Sequence, residues 1–264
     1  MKVLLLHAFP LDKGMWEPQR AALAGHEVIA PRLYGRGHTM DEWAGSIAGE
    51  TVGDLAVVGA SMGGYCALAL ARRAPERVRG LLLVGARPDA DSDERRAGRQ
   101  DTIDLIHNEG LEGLWRMMLP KLFHDESAAD EHLVYRDADA LVTALAAVRD
   151  REDSTDVVRS FPGPVQFVVG EFDPYVSAGE LTEFDVREMR GGPPREPRAA
   201  GRVQRDPARV RRPCLSSLPS STSPGSKASS EWTTCSSATC AGRTRTHEDI
   251  SQARGRSSSA RRPR

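Results

Sequence analysis

At 264 residues the chain is long enough for one single-core domain, or for one domain carrying an appendage, and does not require two. Its 36 Lys+Arg against 37 Asp+Glu leave a balance of −1, which argues neither for nucleic acid nor for an acidic partner. No stretch reaches the roughly 18 apolar residues of a membrane span, and the opening apolar run Val3–Leu6 falls short of a signal-peptide core.

In chain order, Val3–Leu6 is a short apolar run and predicts a strand that ends at His7-Ala8-Phe9-Pro10. Helical spacing over Met15–Leu23 follows, with Trp16 near its start, then a strand at Glu27–Ala30 and a glycine-rich turn, Pro31-Arg32-Leu33-Tyr34-Gly35-Arg36-Gly37-His38. A second helix is predicted over Trp43–Thr51 and a strand over Leu55–Val58. That strand runs into Gly59-Ala60-Ser61-Met62-Gly63 and then an alanine-rich helix over Gly64–Arg73.

This G-x-S-x-G is the strongest signal in the chain, because its context is strand, turn, helix. Such a turn forces the serine into a strained backbone conformation, and only residues without side chains fit at positions 59 and 63. Ser61 is the candidate nucleophile. It lies at the N-terminus of a helix starting near Met62, where free N–H groups and the positive dipole end favour negative charge, so the Met62 N–H is the expected oxyanion donor.

After a strand at Gly80–Val84 come about eighty residues before the next, far more than a crossover needs. Leu111, Leu114, Trp115, Met118, Leu119 and Leu122 keep an i, i+3, i+4 rhythm, and Leu141, Leu145 and Val148 repeat it, predicting a helical cap at about 90–160. Trp115, Met118, Leu119 and Leu122 either line an apolar acyl pocket or pack the cap onto the core. The run Val165–Val169 is a buried strand that delivers Asp173 just past its end, with Glu171 and Asp89 as other carboxylate positions. Phe184–Met189 is the last predicted strand. The alternation of strands and helices implies an α/β, doubly wound, mostly parallel sheet.

From Gly191 onward the character changes. Residues 191–264 carry 15 Lys+Arg against 5 Asp+Glu, with 14 Ser and 8 Pro, whereas residues 1–190 carry 21 against 32. Such a composition cannot bury enough apolar surface to offset ordering entropy and predicts disorder. The expected division is therefore a core over 1–190 and a basic tail over 191–264. Three of the four cysteines, Cys214, Cys235 and Cys240, fall in that tail, Cys66 lies in the core, and no C-x-x-C pair occurs. Neither a zinc site nor a disulfide framework is expected, and a reducing, cytoplasmic setting fits.

The strand, loop and Trp16 order at the start, the glycine-rich turn and the G-x-S-x-G together resemble the α/β-hydrolase family over about residues 1–190, nearest to small bacterial esterases and enol-lactonases. That resemblance implies that the Phe9 N–H is the second oxyanion donor and that His7 orients the loop rather than acting as base. It matches Asp173 to the acid position of a G-x-x-D motif, and it departs at Arg32, where an acidic residue is often found. It implies a small ester or lactone as substrate, no cofactor and no metal, and neither a nucleic-acid nor a membrane partner; oligomeric state is left open. A non-catalytic binding protein of the same fold is the other reading.

In that family the base follows the acid in a Gly-His sequence after the last strand, and this chain has none there. His26, His38, His107, His124 and His132 fall on loops or the cap, and His247 lies far down the tail. With wobble bases left free, permitted codons for Gly192 to Val210, read one nucleotide later, can spell G-H-L-A-S-L-E-Q-P-D-A-F-N-A-I-L-R-E-F. The expectation is that the chain is frameshifted from about Gly191 and lacks its general base and terminal helix.

Overall fold

A computed structural model describes residues 1–122 and 135–190. Six strands, β1 (Lys2–Leu6), β2 (Val28–Ile29), β3 (Leu55–Ala60), β4 (Val78–Val84), β5 (Val165–Gly170) and β6 (Val186–Met189), form one sheet in the order β2-β1-β3-β4-β5-β6. All five pairings are parallel. The helices are α1 (Glu17–Ala22), α2 (Met40–Glu50), α3 (Met62–Arg73), α4 (Asp93–Leu122), α5 (Ala138–Arg149) and α6 (Thr155–Ser160), with 3-10 turns at Lys13–Trp16 and Ala178–Leu181.

Parallel strands covered on both faces are apolar throughout rather than alternating, and β3 is buried at every residue. The register puts Leu4 and Leu6 beside Val57 and Gly59, and these beside Leu81 and Leu83, so one face is built from these side chains with Phe167 and Val169. They form the larger core with Trp43 and Ile47 of α2, Leu68 and Leu70 of α3, and Leu141 and Leu145 of α5. Across the sheet, Val3, Leu5, Val58 and Ala60 make a smaller cluster with Trp16. Burying side chains such as these stabilises by about 2 kcal/mol each, before the ordering entropy is set against it.

All six predicted strands are present, with ends that move by a few residues. The β2 pairing is only Val28–Ile29, shorter than Glu27–Ala30. Helix α2 starts at Met40, ahead of Trp43, because Thr39 and Glu42 form a reciprocal capping box: Glu42 N–H donates to the Thr39 hydroxyl, and Thr39 N–H to the Glu42 carboxylate. The described part of the insertion between β4 and β5 carries α4, α5 and α6, in line with a helical cap at about 90–160, and its first helix starts well before the apolar rhythm at Leu111. Helix α4 runs from Asp93 and breaks at Gly110, whose φ of 66° and ψ of −162° suit a residue without a side chain. The expectations for the tail, including its disorder, and for His124, His132, His247, Cys214, Cys235 and Cys240, lie outside the described residues.

Candidate active site

Ser61 sits between β3 and α3 with φ 47° and ψ −111°, and among the described residues no other non-glycine residue has a positive φ. Its N–H donates to the Val84 carbonyl at 2.8 Å, which pins the turn to the end of β4. A Cβ at Gly59 would strike the Gly63 carbonyl, and one at Gly63 would strike the Leu6 carbonyl. Gly59 is therefore required by the turn's own returning backbone and Gly63 by the end of β1 passing beside it. Among the described residues neither the Met62 N–H, at the first position of α3, nor the Phe9 N–H has a hydrogen-bond partner.

Ser61 opens into a cavity of about 1010 Å³ whose lining includes Phe9, Gly85, Asp173, Tyr65 and Leu145. Asp173 Oδ1 accepts the N–H groups of Tyr175 at 2.8 Å and Val176 at 3.1 Å, while Oδ2 has no hydrogen-bond partner among the described residues. A side chain at Gly85 would come within 2.9 Å of that Oδ2, so the glycine at the end of β4 is what admits the carboxylate. Of the other two carboxylates, Asp89 is held bidentately by Arg87, at 2.5 and 2.7 Å, and Glu171 is exposed; neither lines the cavity.

His7 is fully buried. Its Nε2 accepts the Leu33 N–H at 3.0 Å, and its Nδ1 donates to the Ala8 carbonyl at 3.1 Å, so the ring ties the loop after β1 to the turn after β2. Burial pushes its pKa down to about 4, leaving a neutral ring at neutral pH. Among the described residues no histidine lines the cavity around Ser61; His38 lines a separate, smaller one beside Arg72. Of the cap residues singled out by their spacing, Met118 and Leu122 line the cavity, whereas Trp115 and Leu119 do not.

Charged residues that belong to no sequence motif stand in the same wall. Arg87, Arg95 and Glu180 form one ion-pair cluster, with N–O distances of 2.6 and 2.9 Å. The Asp91 carboxylate lies 2.7 Å from Arg151, and both side chains are almost wholly buried; Arg99 reaches the same carboxylate at 3.3 Å. The Arg151 guanidinium stacks 4.0 Å over the Tyr65 ring, one helical turn beyond Ser61. Among the described residues no group of three or more His, Cys, Asp or Glu is placed to hold a metal ion, and no helix is long and apolar enough to cross a membrane.

Residues 3–213 match the model of the alpha/beta hydrolase family. The chain belongs to that family. Among similar solved structures, a thermophilic esterase from Thermogutta terrifontis, solved with malate bound, is 30% identical, with a TM-score of 0.62 over 71% of this chain and 81% of that one. The enol-lactonase from Burkholderia xenovorans LB400 is 22% identical over 71% and 81%, with a TM-score of 0.60, a likeness of fold. A pimeloyl-[acyl-carrier protein] methyl ester esterase from Aromatoleum aromaticum is 38% identical over 93 residues, 33% of this chain. That match spans 37% of the curated relative's own length.

Proposed function

We propose that this alpha/beta hydrolase is a serine hydrolase of carboxylic esters or lactones that works through an acyl-enzyme. The observation that carries the reading is the positive φ of Ser61 at a strand-to-helix turn, beside two unpaired N–H groups and a half-committed carboxylate. Ser61 Oγ, losing its proton to solvent water in the cavity, would bond to the carbonyl carbon while the Met62 and Phe9 N–H groups hold the oxyanion. Collapse breaks the bond to the alcohol oxygen, which takes up a proton as it leaves, and water then adds its oxygen to the acyl carbon and returns a proton to Ser61 Oγ as the acid departs. Asp173 would orient an imidazole through its open Oδ2. The esterase names of the Thermogutta and Aromatoleum proteins support the ester class.

The finer reading is that this chain is impaired. A serine hydroxyl needs a base within hydrogen-bond reach, and no histidine lines the cavity among the described residues. The frameshift reading from about Gly191 accounts for that, and a reducing, cytoplasmic setting accompanies it. A fluorophosphonate probe tests the whole: covalent labelling that is lost in Ser61→Ala, with slow turnover of p-nitrophenyl acetate, is expected. Complete absence of labelling in a folded chain sinks the reading and favours a non-catalytic binding protein, which the same lack of a histidine supports. Sequencing the gene across codons 188–196 decides the frame: an intact frame in several independent clones removes the frameshift.

A further inference from the structure

The wall of the Ser61 cavity holds one guanidinium that is anchored at one end and open at the other. Arg99 Nε donates to Asp91 Oδ2 at 3.3 Å, while Nη1 and Nη2 have no partner among the described residues. Its anchor is itself fixed: the Asp91 side chain is fully buried and paired with Arg151 Nη1, which also donates to the Val148 carbonyl at 2.9 Å, while Arg151 Nη2 donates to the Asp89 carbonyl at 2.7 Å. Arg99 is therefore held at its inner nitrogen and presents an end-on fork, the geometry that takes a carboxylate or phosphate through two parallel N–H···O bonds. The neighbouring Gly98, also in the cavity lining, leaves open space where a side chain would stand.

Among the described residues none of the other charges nearby hydrogen-bonds to this fork. Arg87 and Arg95 are engaged by Asp89 and Glu180, two backbone N–H groups hold Asp173 at Oδ1 and leave its Oδ2 open, and the Lys121 ammonium lies over the Tyr175 ring. Glu94, also in the lining, is exposed. The lining also has an apolar part, with Phe9, Met117, Met118 and Leu122, in which Lys121 is the charged member.

From this, and resting on the hydrolase reading above, we propose that Arg99 is a specificity-determining residue, an anion receptor that selects esters or lactones carrying a second, ionised group. A monoester of a dicarboxylic acid is the simplest such substrate: its free carboxylate docks on the Arg99 fork while its ester carbonyl reaches Ser61.

The test uses the full chain carrying Ser61→Ala, so that nothing turns over, and measures binding of monomethyl glutarate and of the neutral dimethyl glutarate by calorimetry. The monoanion is expected to bind at least about tenfold more tightly, a preference weakened by salt. Adding Arg99→Gln is expected to bring the two affinities together, and Arg99→Lys to keep part of the preference. Equal affinities for the two probes in the Ser61→Ala chain overturn the proposal without needing any Arg99 variant to fold, as does a preference that survives Arg99→Gln. Fluorophosphonate labelling of the unmodified chain separates this from the hydrolase reading. Labelling without an anion preference removes only the receptor, and an anion preference without labelling removes only the hydrolysis.

Discussion

Ser61 shows the conflict between stability and chemistry at the scale of a single residue. A side chain held at φ 47° costs about 1 kcal/mol that glycine would not. Ser61→Gly is therefore expected to stabilise the fold by about 1 kcal/mol while abolishing covalent labelling; denaturant midpoints and probe incorporation on one sample check both. His7 makes a second prediction. Its folded pKa of about 4 lies below the ordinary value of 6.5, so the unfolded chain takes up the proton first. Stability is then fully present above about pH 6.5 and declines as pH falls toward 4, by about 3 kcal/mol from this ring alone. Urea unfolding followed from pH 7 to pH 4 checks the sign, with His7→Gln expected to flatten that part of the profile.

Among the elements, what can be read in the sequence depends on how much of each one is buried. β1 and β3 are legible because every residue but Lys2 is buried, and a continuous apolar run bounded by turn residues has few other readings. The first half of α4 is not legible by rhythm: from Asp93 to Glu109 only Ile103 and Ile106 are buried, so there is no stripe to see. A Thr-x-x-Glu pattern at Thr39–Glu42 would have placed the start of α2 correctly. The turn around Ser61 is local and legible to the residue, whereas the Asp91, Arg99, Arg151 and Tyr65 cluster is assembled from three segments distant in sequence and leaves no spacing to read. The break in α4 carries its own prediction. Gly110→Ala places a Cβ at φ 66° and is expected to lower stability by about 1 kcal/mol, measurable as a fall in Tm of a few degrees.

For the molecule as a whole, the Arg151 and Asp91 pair ties the two ends of the insertion together, and Arg151 joins them to the core through Tyr65. Arg151 follows α5, Asp91 lies between β4 and α4, and the guanidinium rests on α3 through Tyr65. Removing one partner of so buried a pair strands the other charge, and Asp91→Ala is expected to cost about 3–5 kcal/mol in denaturant unfolding. The strand order carries a broader consequence. From β1 the chain turns outward to β2, while from β3 it turns the opposite way to β4, so the segments leaving these neighbours diverge above the sheet. The groove between Phe9 and Ser61 is thus inherited from topology and would outlast wholesale replacement of the tips around it. A descendant of this scaffold could exchange one reaction for another by rewriting a handful of positions along that seam, leaving the sheet beneath untouched.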